Sequence, residues 1–156
     1  MPNNLQKATF GAGCFWHVEE VFSKTKGVIS TSVGFMGGTL QNPSYKQVCT
    51  GSTGHAEVVY LEFDPDIVSY DELLNIFWNL HDPTTLNRQG PDIGTLYRSA
   101  IFYYNEEQEK AAKSSKENLE KGKKFKNKIV TEIISANEFC KAEEYHQKYF
   151  QKKWGI

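Results

Sequence analysis

Apolar residues recur along this chain in two rhythms. Behind Ser69-Tyr-Asp-Glu72, which has the form of a capping box, Leu73, Ile76, Phe77 and Leu80 follow at helical spacing as far as His81-Asp82-Pro83. A helix that packs on a sheet is predicted there. Phe15, Val18 and Phe22 repeat the same spacing near the start, and Gly27 ends that stretch. The second rhythm belongs to β-formers. Ala56 to Phe63, closed by Asp64-Pro65, is the clearest strand, joined by Leu5 to Phe10, Val28 to Phe35, Ser99 to Tyr104 and Ile129 to Ile134. Asn105 to Lys121 reads as a polar helix with a solvated face, and Glu143 to Lys152 as a short final helix. Gly11-Ala12-Gly13 reads as a tight turn. Thr39 to Thr53 and Thr84 to Arg98 lack periodicity and read as long loops, the segments of a small domain that most often carry function.

The predicted order is β-α-β-β-α-β-α-β-α, with two helix-free strands adjacent in the middle. It implies an α+β, two-layer sandwich: a split β-α-β (ferredoxin-like) core with a mixed sheet and long active-site loops. A chain of 156 residues is enough for one domain, expected to span 1–156. Lys plus Arg number 18 against 19 Asp plus Glu, so no broad basic face is available for a nucleic acid. The start of the chain shows no basic segment leading into an apolar one, and no apolar run approaches a membrane span. A soluble, cytoplasmic monomer is expected. The cysteines, Cys14, Cys49 and Cys140, are odd in number and form no C-x-x-C pair, which argues against a disulfide framework. No two of the histidines sit at zinc-ligand spacing, so no metal is expected.

Cys14 changes the picture. It falls where a strand gives way to a helix, and a helix start offers unpaired N–H groups and a positive dipole end, both of which stabilise a thiolate. A cysteine in an apolar segment is more often a small buried hydrophobe, so position alone does not decide its role. Trp16 falls off the Phe15, Val18, Phe22 stripe and is expected to face the sulfur, and an aromatic beside a reactive thiol suggests an apolar substrate group.

Four motifs occur in a fixed order: Gly13-Cys14-Phe15-Trp16, Asn42-Pro43-Ser44-Tyr45, Gly54-His55-Ala56-Glu57 and His81-Asp82-Pro83-Thr84. Asn87-Arg88-Gln89-Gly90, Asp92, Gly94-Thr95, Tyr97-Arg98-Ser99 and Ala142-Glu-Glu-Tyr-His-Gln147 follow. Together they resemble the A-type peptide methionine sulfoxide reductases over nearly the whole chain. The resemblance implies reduction of methionine-S-sulfoxide, free or in proteins, with Cys14 as nucleophile and Glu57 as proton donor. It implies a cage for the substrate methyl made by Phe15 and Trp16, hydroxyls of Tyr45 and Tyr97 on the sulfoxide oxygen, and a supporting role for Asp92. For Glu57 to hold a proton at neutral pH its pKa must be raised by an apolar setting. No bound cofactor is implied. An external thiol, of thioredoxin type or dithiothreitol, is the expected reductant.

Attack by Cys14 would leave a sulfenic acid that a second thiol must condense with. Many family members carry resolving cysteines in a glycine-rich tail, whereas this sequence reads Lys153-Trp154-Gly155-Ile156. Cys140 is the first candidate for the resolving thiol, Cys49 the second, and direct attack by the external reductant the third. Two other readings are set beside this one. The first is acyl transfer by Cys14 with His55 or His146; the second is a non-catalytic module that binds peptides through Phe15 and Trp16. His55 and His81 are read as local hydrogen-bonding residues.

Overall fold

The structure, a computed structural model, describes residues 4–39, 43–50, 53–122, 125–149 and 152. Asn42 of the second motif, Phe150 and Gln151 of the expected last helix and the tail from Lys153 to Ile156 lie outside the described residues. In chain order the elements are β1 (Gln6–Ala12), α1 (Phe15–Ser23), β2 (Val28–Met36), α2 (Tyr45–Cys49), β3 (Ala56–Phe63), α3 (Tyr70–Leu80), β4 (Arg88–Gln89), β5 (Asp92–Ile93), β6 (Ser99–Tyr103), α4 (Glu106–Lys121), β7 (Glu132–Ser135) and β8 (Cys140–Lys141). Single 3-10 turns cover Thr95–Tyr97 and Glu144–His146.

The strands form a mixed six-stranded sheet in the order β7-β6-β1-β3-β2-β8. Its inner part, β6-β1-β3-β2, is antiparallel throughout, and β3 lies between β1 and β2, which is the split β-α-β arrangement. Only β7 runs parallel to its neighbour, β6. Side chains alternate across each strand. Glu57, Val59, Leu61 and Phe63 of β3 face one side, with Ala8, Phe10 and Ala12 of β1 and Val33 and Phe35 of β2. On that side they meet Phe15, Val18 and Phe22 of α1 and Leu73, Leu74 and Phe77 of α3. Ala56, Val58, Ala100 and Phe102 face the other side in a smaller cluster with Phe139. The fold is therefore α+β with two layers.

Several local expectations are corrected. The region 39–53 is not all loop: Ser44 caps α2 with a full capping box to Gln47. The two middle strands are thus not helix-free. The 84–98 loop contains the β4–β5 hairpin and a 3-10 turn. The expected helix from Glu143 begins instead as a 3-10 turn broken at Lys148 (φ 50°), and among the described residues beyond it α-helical ones appear only at Tyr149 and Lys152, where the Lys152 N–H donates to the Lys148 carbonyl (3.0 Å). The Gly11-Ala12-Gly13 turn begins later, because β1 pairs with β6 through Ala12.

Candidate active site

The end of β1 and the start of α1 place Cys14. Gly13 makes the corner at φ 96°, and a Cβ there would lie 2.8 Å from Cγ of Gln89, so both the conformation and the close approach require glycine. Gln89 is itself clamped on the backbone of Asp82, accepting from its N–H (2.8 Å) and donating to its carbonyl (2.8 Å). Cys14 is the N-cap residue of α1 and is partly exposed.

Glu57, on the central strand β3, reaches the same helix start. The Phe15 N–H donates to its Oε1 at 3.1 Å, while Oε2 is buried with no hydrogen-bond partner among the described residues. The residue is 1% exposed. Burial raises its pKa to about 8, with the Phe15 N–H opposing and the charge of Asp92 adding to the rise. A carboxyl that is neutral at pH 7, with Oε1 already accepting, carries its proton on Oε2, which makes Oε2 an unused buried donor.

Cys14 departs from expectation. Its thiol is not held as a thiolate in the free site: burial and the Glu57 charge push its pKa up to about 11, and the N–H groups of Trp16 and His17 offset this only in part. The helix start therefore acts in the expected direction but is outweighed by desolvation. Protonation of Glu57 at neutral pH relieves part of that rise, since a neutral carboxyl no longer repels the thiolate.

Aromatic rings wall the site. Phe15 lies 6.1 Å from the Tyr45 ring and 5.7 Å from Phe35, and Trp16 lies 6.5 Å from Tyr45 (centroid distances). Burial raises the pKa of the Tyr45 hydroxyl and pushes that of Tyr97 up to about 12, the charge of Glu57 contributing to both. Both therefore remain donors at neutral pH. Arg98 secures the Tyr97 turn by donating to the Thr95 and Gly54 carbonyls (2.8 and 3.0 Å) and pairing with Glu132 (2.6 Å). The structure thus brings Cys14, Glu57, Phe15, Trp16, Tyr45, Tyr97 and Asp92 together.

It also adds residues to which the reductase reading gave no role. Trp16 donates its Nε1–H to Nδ1 of buried His146 (3.0 Å), which leaves His146 Nε2 buried and without a partner among the described residues. The His146 ring lies 4.3 Å from Tyr45, and Tyr149 stacks on Trp16 at 4.0 Å. Glu143 accepts from the Tyr45 N–H (3.1 Å) and so holds the start of α2. Gln147 bonds to both backbone groups of Val33, and buried Glu19 accepts from Thr31 (2.7 Å) and from the Lys148 N–H (2.6 Å). The Ala142-to-Gln147 motif signalled this segment, but only the fold shows what each residue holds.

The histidines His55 and His81 are engaged in the surrounding backbone and side chains. His55 Nδ1 accepts from the Gly38 N–H (3.1 Å), and His81 bridges the Phe77 carbonyl and Ser99 (2.7 Å each), with burial lowering its pKa to about 4. Both act as local hydrogen-bonding residues. Cys49 is exposed at the end of α2, and its sulfur accepts from the Tyr45 hydroxyl. Cys140 is 7% exposed in β8, opposite Phe35. Among the described residues no group of His, Cys, Asp and Glu is arranged to hold a metal, and no helix is long and apolar enough to cross a membrane.

A family model described as peptide methionine sulfoxide reductase matches residues 6–155. "Peptide methionine sulfoxide reductase MsrA" of Methanosarcina acetivorans is 62% identical over 149 residues, 96% of this chain and 79% of that protein. Among solved structures, Mxr1 from Saccharomyces cerevisiae in reduced form aligns with a TM-score of 0.92 at 36% identity, covering 100% of this chain and 90% of that one. Mxr1 in complex with Trx2 aligns with a TM-score of 0.67 at 24% identity, over 96% of this chain and 87% of that one, a likeness of fold.

Proposed function

The chain belongs to the A-type peptide methionine sulfoxide reductases and is an oxidoreductase of the peptide-methionine (S)-S-oxide class; from that premise we propose that Cys14 and Glu57 carry out the reduction through a cysteine sulfenic acid. The observation that carries the reading is the buried Glu57, its pKa raised to about 8, bonded through Oε1 to the N–H of the residue after Cys14 and with Oε2 unpartnered among the described residues.

In this reading the substrate methyl rests against Phe15 and Trp16. Glu57 gives its Oε2 proton to the sulfoxide oxygen, and the Tyr45 and Tyr97 hydroxyls donate to the same oxygen as charge builds on it. The Cys14 sulfur attacks the electrophilic sulfur, and its thiol proton passes to the Glu57 carboxylate. An S–S bond forms between Cys14 and the substrate as the S–O bond breaks and the oxygen, taking a second proton from Glu57, departs as water. Water then attacks the Cys14 sulfur and gives a proton back to Glu57, the S–S bond breaks, methionine leaves with its sulfur lone pair restored, and Cys14 is left as S–OH. Cys14 is oxidised by two electrons and the substrate reduced by two. A thiol with a pKa near 11 suits this order of events, because Glu57 becomes a base only after it has given up its own proton. Asp92 adds negative charge that keeps the proton on Glu57 in the resting site.

An external dithiol of thioredoxin type is the proposed reductant, in keeping with the yeast relative solved in complex with Trx2. The test is to supply L-methionine-S-sulfoxide and dithiothreitol and measure methionine. Wild type should turn over and Cys14→Ser should not. Methionine formed by Cys14→Ser at the wild-type rate would remove Cys14 from the mechanism.

A further inference from the structure

Turnover requires that the sulfenic acid on Cys14 be removed, and two other thiols are available in the chain. They differ in what surrounds them. Cys140, Phe35 and Glu57 form one row across β8, β2 and β3, on the same side of the sheet. With neighbouring strands about 4.8 Å apart, the Cα of Cys140 lies roughly 10 Å from that of Glu57. The fully buried Phe35 stands between them. At Gly34 the β2–β8 approach is so close that a Cβ would run into the Cys140 carbonyl and the Phe139 ring. Cys140 is thus fixed in the sheet, screened from the site by an aromatic ring and closed to an external reductant.

Cys49 has the opposite setting. It lies one helical turn beyond Tyr45, on the same face of α2, so its side chain leans back toward the tyrosine. The Tyr45 hydroxyl donates to its sulfur, and the Tyr45 ring packs on Phe15 and Trp16, the residues that follow Cys14. The thiol is exposed. Cys14 and Cys49 both lie within electrostatic range of Glu57 and Tyr97, which places them around one site.

Resting on the reductase reading above, we propose that Cys49 is the thiol that resolves the Cys14 sulfenic acid, with Tyr45 switching its hydroxyl between the sulfoxide oxygen and the Cys49 sulfur. While substrate is bound, the Tyr45 O–H serves the sulfoxide oxygen. Once methionine leaves, it returns to Cys49, where burial raises the thiol pKa and the Tyr45 hydrogen bond opposes that rise. The Cys49 sulfur attacks the sulfur of Cys14–S–OH, the S–O bond breaks, an S–S bond forms, and the oxygen departs as water after taking the Cys49 proton. The resulting disulfide has an exposed sulfur that an external dithiol can attack, releasing both thiols. Joining the two sulfurs requires the Cα atoms of Cys14 and Cys49 to come within about 7 Å.

The test is a single turnover with one equivalent of L-methionine-S-sulfoxide and no added thiol, followed by peptide mapping with dimedone as the sulfenic acid trap. A Cys14–Cys49 disulfide is expected in wild type and in Cys140→Ser, whereas Cys49→Ser should accumulate the dimedone adduct on Cys14. Turnover by Cys49→Ser with a thioredoxin, its reductase and NADPH should fall, and Tyr45→Phe should slow formation of the disulfide. Methionine released with a Cys14–Cys140 disulfide, or with Cys49 still free and Cys14 trapped by dimedone in wild type, overturns the assignment and leaves the reductase reading standing. If no methionine forms, the reductase reading fails and the assignment falls with it.

Discussion

At Glu57 two facts fix where the proton sits: Oε1 accepts from the Phe15 N–H, and Oε2 is buried without a partner among the described residues. Glu57→Gln keeps the shape and removes the proton donor, so kcat/KM should fall by roughly 10²–10⁴-fold, the range of general acid catalysis. The same residue predicts a stability effect of a definite sign. Its folded pKa of about 8 lies above the ordinary value of 4.5, so the folded state binds more protons than the unfolded chain between those pH values. Its contribution is fully present below about 4.5 and is lost as pH rises through about 8. Thermal unfolding of wild type and Glu57→Gln across that window should show wild type losing Tm relative to the variant. A constant difference in Tm would show that the carboxyl is not held neutral.

At the scale of elements, the corner between β1 and α1 carries the nucleophile, and Gly13→Ala should damage both fold and function. The positive φ and the contact with Gln89 together should cost more than about 1 kcal/mol, read as a lower urea midpoint, and turnover should fall with it. Ser69→Ala, far from the site, removes the α3 N-cap and should cost about 1 kcal/mol. Unlike Gly13→Ala it should leave kcat unaltered in the folded fraction. These elements also show what the sequence made legible. Ala56 to Phe63 matched its strand at both ends, and the Ser69 capping box marked α3, because β-branched runs and cap chemistry are local signals. α2 escaped because a five-residue helix is too short to display a period. β8 escaped because two residues become a strand only by pairing with β2. The motif resemblance brought Cys14, Glu57, Tyr45 and Tyr97 forward, but not His146 under Trp16, Glu143 on the Tyr45 N–H or the hydrogen bond from Tyr45 to Cys49. Each of those rests on a contact between distant segments, or on a geometry that spacing does not encode.

For the molecule as a whole, the sheet order sets the reacting groups against one another. β1 and β3 are paired neighbours at the centre of the sheet. One delivers Cys14 at its end and the other carries Glu57, so the partly exposed thiol is set beside a buried acid. The segment from Ala142 to Lys148, tied down through Gln147 and Glu19, closes the aromatic wall from the side. The central claim is that a neutral Glu57 supplies the proton on which attack by Cys14 depends. The most direct measurement is the single-turnover rate of methionine formation from L-methionine-S-sulfoxide as a function of pH, in wild type and in Glu57→Gln. The account predicts a wild-type rate that falls as pH rises through about 8, and a slow rate in the variant with no break there. The same break in Glu57→Gln, or a wild-type rate that climbs through that pH, would contradict it.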